Sequence, residues 1–130
     1  MAVVLINQMS IIHKQLAGGR WNELTFFEQM ANVGSEVERA IKWRDKENPP
    51  IPLYQVGEIK YSQQAFERAL ELLSLTIDDQ KNKKRLKELT RVYECLVDYF
   101  AFKNQYGSSD KLWQKYFFAF NWAARIKIRV

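Results

Sequence analysis

The sequence predicts an all-α protein, a four-helix antiparallel (up-down) bundle with an N-terminal appendage. Two observations lead there. Apolar residues recur at helical spacing in four separate stretches of a 130-residue chain. Glycine and proline are scarce, 5 and 3 residues, too few for the many tight turns of an all-β design. Short connections between long helices favour the up-down topology.

The first helix is expected from Thr25 to Lys46. Thr25 and Glu28 have the spacing of a capping box. Phe26, Met30, Val33, Val37 and Ala40 recur at steps of four and three, and Phe27, Gly34 and Ile41 widen that face. Residues 47–60 break the pattern, because Pro49, Pro50 and Pro52 forbid a continuing helix and Gly57 adds a turn. A second helix follows from Ser62, as N-cap, to Ile77, with Ala65, Phe66, Ala69, Leu70, Leu73 and Ile77 as its apolar stripe. The third spans Gln80 to Phe102. Its seam of Leu86, Leu89, Tyr93, Leu96 and Phe100 suits packing between long antiparallel neighbours. Asn104 to Ser108 ends it. The fourth runs from Ser109 to Arg125, with Leu112, Trp113, Tyr116, Phe117, Phe120, Ala123 and Ala124 facing one way. Residues 1–19 read as an extension, either a short helix or a loose strand, and residues 126–130 as a frayed helical end or a short strand.

At this length the chain is one domain, residues 1–130. Its 47% apolar and 27% charged residues exclude a disordered composition. The lone Cys95 forbids an intramolecular disulfide and points to a reducing compartment. Asn7, Gln8 and Ser10 interrupt the apolar start, which lacks a basic n-region and is too short to span a bilayer. The expectation is a cytoplasmic protein without a membrane segment.

One stretch, Tyr61 to Ile77, looks like the second half of a tetratricopeptide unit, so helical hairpins of that kind are the alternative architecture. A wider resemblance rests on Arg20-Trp21-Asn22-Glu23-Leu24, on Glu28 to Ala40 (EQMANVGSEVERA), and on Tyr61 to Leu72 (YSQQAFERALEL). Asp98-Tyr99-Phe100 and Leu112 to Phe117 complete it. Over these residues the chain resembles a family of small prokaryotic helical proteins. The resemblance implies a compact prokaryotic bundle and brings no activity with it. The first eighteen residues look like an extension to that family, and the proline loop looks longer than its usual turn between helices one and two.

An enzyme needs a placed acid, base, nucleophile or metal. His13 is the only histidine and Cys95 the only cysteine, so no His or Cys pair begins a metal site. No arginine precedes His13 as it does in the small helical nucleases of the HEPN group. Glu28, Asn32, Ser35, Glu36 and Arg39 share the polar side of helix one, a pattern more common on a solvated face than in a carboxylate-lined pocket. The expectation is therefore no catalysis, no metal and no cofactor.

Three features speak for binding instead. Gly34 costs about 1 kcal/mol inside a helix relative to alanine, which is reasonable only if another backbone crosses closely there. Trp43, Phe118 and Trp122 fall off the apolar stripes, and large outward aromatics are frequent interface anchors. Two explanations compete: cover from the N-terminal segment or the proline loop of the same chain, or a homodimer surface, and the leading function is an interaction module that self-associates through these aromatics. Within residues 80–91, six cations face one carboxylate, Glu88, an excess equal to the +5 of the whole chain. At 100° per residue Lys83, Lys84, Lys87 and Arg91 lie opposite the helix-three seam, on the solvent side. With Asp78, Asp79, Glu94 and Asp98 nearby and no interleaved aromatic, the row reads first as a solvated, self-neutralising face; its alternative function is that of a non-catalytic HEPN-like bundle that binds nucleic acid or another polyanion.

Overall fold

The structure, a computed structural model, describes residues 19–47 and 60–126. The N-terminal extension with His13, most of the proline loop and residues 127–130 lie outside the described residues. The described residues form four α-helices: α1 Phe26–Lys46, α2 Tyr61–Asp78, α3 Leu86–Ala101 and α4 Asp110–Arg125. Short 3-10 turns, Trp21–Glu23 and Gln80–Arg85, precede α1 and α3.

Consecutive helices run antiparallel. Trp43 near the end of α1 meets Tyr61 at the start of α2, while Gln29 near the start of α1 bonds Asp79 just past the end of α2. Phe66 of α2 meets Phe100 of α3, and Glu88 of α3 meets Tyr116 of α4. Arg44 to Asp110 and Phe26 to Phe120 then close α4 back onto α1. With α2 and α4 both packed on α1, the helices make an all-α bundle with antiparallel neighbours.

The core takes one apolar stripe from each helix: Met30 and Val33, Leu70 and Leu73, Leu89 and Leu96, Trp113 and Phe117. Each such side chain, fully buried, contributes roughly 1.5–3 kcal/mol. At Gly34, α4 packs tightly on α1 through Phe117. A Cβ there would sit 2.6 Å from Cβ of Phe117, so the glycine is what the expected close crossing requires.

The element boundaries agree with expectation at α1 and α4. Thr25 and Glu28 form the capping box, with Glu28 N donating to Thr25 Oγ1 at 3.1 Å and Thr25 N donating to Glu28 Oε1 at 2.9 Å. Ser109 caps α4 by accepting from the Leu112 amide.

Elsewhere the structure corrects the sequence reading. Ser62 is not the cap of α2, which starts one residue earlier behind Lys60. The Ser62 hydroxyl and amide both donate to the Glu47 carboxylate, so the end of α1 supplies the negative charge that the start of α2 favours. Residues 80–85 are not α-helical. Asp79 accepts from the Lys81 amide and Asn82 turns inward, which tightens the backbone into a 3-10 turn. Leu86 and Leu112 do not join the core; they are 45% and 49% exposed. Leu86 opens α3 beside the 3-10 turn, and Leu112 lies one helical step off the Trp113–Phe117 stripe.

Candidate interaction surface

The start of α4 is pinned by a three-way junction. Asp110 accepts two bonds from Arg44 of α1 at 2.6 Å and a short one from the Tyr99 hydroxyl of α3. Partial burial pushes the Asp110 carboxyl up, but the bonds from Tyr99 and Arg44 outweigh it and hold the group below its usual range. With Asp110 engaged, α4 carries no further carboxylate.

Its remaining sequence divides into two apolar faces. Trp113, Phe117 and Ala123 go to the core. Phe118 and Trp122, one turn apart on the other side, are 66% and 54% exposed, and Ile126 continues their row. Lys111, Lys115 and Arg125 are exposed on the same helix.

Beside Phe118, α1 and α4 border a groove of about 460 Å³. Gly34, Ser35 and Glu38 form one side, and Trp113, Gln114 and Asn121 the other. Gln114 donates to Glu38 across its rim at 3.3 Å. Trp113 is buried, yet its indole N–H finds no acceptor among the described residues. An orphaned buried donor costs about 1–3 kcal/mol.

Trp43 does not share this surface. It packs against Tyr61 with ring centroids 4.6 Å apart and tilted by 35°, and Lys46 Nζ lies 5.0 Å from its ring centroid. It sits at the end of the bundle where α4 begins, whereas Trp122 lies toward the opposite end, where Phe26 meets Phe120. The structure therefore brings Phe118 and Trp122 together and leaves Trp43 apart.

Lys83, Lys84, Lys87 and Arg91 are all exposed. Lys83 and Lys84 belong to the 3-10 turn and Lys87 and Arg91 to α3. They form one outward row, although its first half does not follow the 100° step assumed for it. Two aromatics flank the row that residue spacing did not reveal. The Arg85 guanidinium lies 4.2 Å from the Phe26 ring centroid and that of Arg91 4.5 Å from Tyr106.

The polar residues of α1 are spent locally. Glu28 is in the capping box, Asn32 and Ser35 donate to carbonyls of their own helix, and Glu36 bridges Arg39 and Arg68. Among the described residues no group of three His, Cys, Asp or Glu side chains is placed to hold a metal ion. No described helix is long and apolar enough to cross a membrane.

A buried polar cluster escapes the sequence reading altogether. Gln29 donates to the Trp21 carbonyl at 3.0 Å and to Asp79 at 2.8 Å, and Asn82 donates to Gln29 at 2.8 Å and to the Thr76 carbonyl. The Trp21 indole donates to Thr76 at 3.1 Å, and Lys81 pairs with Asp79. Burial raises the Asp79 carboxyl, but bonds from Lys81 and Gln29 hold it below its ordinary value. The cluster ties the first 3-10 turn, α1 and the α2–α3 connection into one end of the bundle. The one signal in the sequence is Gln29 itself, three residues after Phe26 and four before Val33, on the flank of the apolar stripe.

The chain matches no protein-family model, no curated protein and no solved structure.

Proposed function

We propose that this chain is a non-catalytic interaction module that self-associates through the outer face of α4. The observation that carries the reading is the pairing of a knob with a hole. Phe118 and Trp122 project from α4 beside the groove that α1 and α4 border. A two-fold dimer needs one patch that complements itself. Here each copy offers both an aromatic projection and a concavity beside it, so two copies can complement one another. Trp43 takes no part in this interface. The free, half-buried Cys95 suits the reducing cytoplasm in which we place the module.

The interface carries its own electrostatic signature. Lys111, Lys115 and Arg125 flank the aromatics, and a two-fold axis brings like charges toward one another. Added salt screens that repulsion, so self-association tightens as salt rises. Sedimentation equilibrium tests both statements. The wild type should be dimeric at tens of micromolar and more so in high salt. Phe118→Ser with Trp122→Ser should be monomeric, since anchors of this kind carry about 2 kcal/mol or more each. A wild-type monomer at that concentration, or a double variant that still dimerises, sinks the reading.

A further inference from the structure

A second surface lies on α3, apart from the α4 face, and owes nothing to self-association. The 3-10 turn Gln80–Arg85 sends Asn82 inward to bond Gln29 and Thr76. Its neighbours Lys83, Lys84 and Arg85 are left outside together, and α3 continues the row with Lys87 and Arg91. Lys84, Arg85, Lys87 and Arg91 line a shallow groove of about 850 Å³.

The two carboxylates in that groove sit beside its arginines in loose, solvent-exposed pairs that a phosphate can displace. Glu88 accepts from the Tyr116 hydroxyl at 3.0 Å and lies 3.8 Å from Arg85. Glu94 lies 4.0 Å from Arg91. Among the described residues no carboxylate comes within ion-pair distance of Lys83, Lys84 or Lys87. These lysines also precede or open α3, where the positive end of the helix dipole disfavours them. An anion in the groove relieves both conditions at once. The flanking arginines are preorganised for it, because stacking on Phe26 and Tyr106 holds each planar guanidinium in place.

We infer that this row is a docking site for the phosphodiester backbone of a nucleic-acid strand. The groove is a concave track lined by charged and hydroxyl side chains alone. It offers no large apolar side chain to enter the acyl boundary, which binding to a lipid surface requires. Phosphate contacts of this kind carry no base information and are sensitive to salt, so recognition is expected to be independent of base sequence.

Fluorescence anisotropy of the full chain with labelled single-stranded RNA and DNA oligonucleotides, from 50 to 200 mM salt, tests the site. Four cations on a single strand give a slope of log K against log salt near −3, about a 50-fold loss of affinity over that range. Replacing Lys84, Lys87 and Arg91 together by glutamine should weaken binding at least tenfold at 50 mM salt and flatten the slope by about 2. Circular dichroism and the melting temperature should be unimpaired, because these side chains are exposed and Lys87→Gln removes a cation from the first turn of α3. The Phe118→Ser, Trp122→Ser variant should bind oligonucleotides as the wild type does, which keeps the two surfaces distinguishable. A slope near zero, a triple variant that binds normally, or capture by phosphatidylserine vesicles without oligonucleotide binding would overturn the inference.

Discussion

Gly34 and Phe117 set the distance between α1 and α4. Alanine at position 34 gains about 1 kcal/mol of helix propensity. Its Cβ, however, would lie 2.6 Å from a Cβ and not from the tip of a flexible side chain. Relief therefore needs α4 to move, and overpacking of this kind costs about 1–3 kcal/mol. Gly34→Ala should lower the urea midpoint; an unchanged or raised midpoint contradicts the close crossing. The need for a glycine is legible in the sequence, since a mid-helix glycine beside an apolar stripe is a net cost unless a neighbouring helix presses against it. Its contact is not, because nothing in the local pattern names Phe117. Asn82 shows the opposite case. It sits in a run of cations that reads as solvated, yet it is 2% exposed. Periodicity locates apolar faces and is blind to a polar side chain drawn inward by hydrogen bonds from distant residues.

At the level of elements, α4 is the helix that faces two ways. Its core stripe and its outer aromatics are both visible at 100° per residue, because angle around a straight helix depends on sequence position alone. Ser109 is equally local: its side chain accepts from the Leu112 amide at 3.1 Å. Ser109→Ala should cost about 1 kcal/mol and speed hydrogen exchange at the Leu112 amide, while the exchange of α2 stays as it was. Protection of Leu112 equal to the wild type would mean that the Arg44–Asp110–Tyr99 junction alone holds the start of α4. The turn Gln80–Arg85 reads as α-helix in the sequence, and the reason is physical. A 3-10 turn and an α-helix share most of their side-chain preferences, and what selects the tighter one is Asn82 reaching Gln29, 53 residues away.

The whole molecule is fastened at its two ends by carboxylates. Asp79 joins α1 to the α2–α3 connection, and Asp110 joins α4 to α1 and α3. Both are held below the ordinary carboxylate value in the folded state. The unfolded chain therefore binds protons first as pH falls. The stabilisation is complete above the unfolded carboxylate pKa, near 3.8, and is lost as pH drops through the lower folded values. Urea midpoints should hold from neutrality to about pH 5 and fall steeply below about pH 4. Asp79→Asn with Asp110→Asn should be less stable at neutrality and show a shallower acid limb. An acid limb as steep as that of the wild type would place the linkage on other carboxylates. Charge also separates the two surfaces at this scale: self-association should strengthen with salt and strand binding should weaken, so one titration reads each against the other.

The four helices of the described residues, the stripes that build the core apart from Leu86 and Leu112, the capping box and the outward Phe118 and Trp122 were all determined by sequence alone. Each follows from spacing along a single helix, where position dictates direction. Tertiary structure alone decided that Trp43 is covered by Tyr61 while Phe118 borders a groove, that Glu47 supplies the start of α2, and that buried polar residues gather at one end. These depend on which helices meet and at what level, and that is settled by packing between residues far apart in the chain.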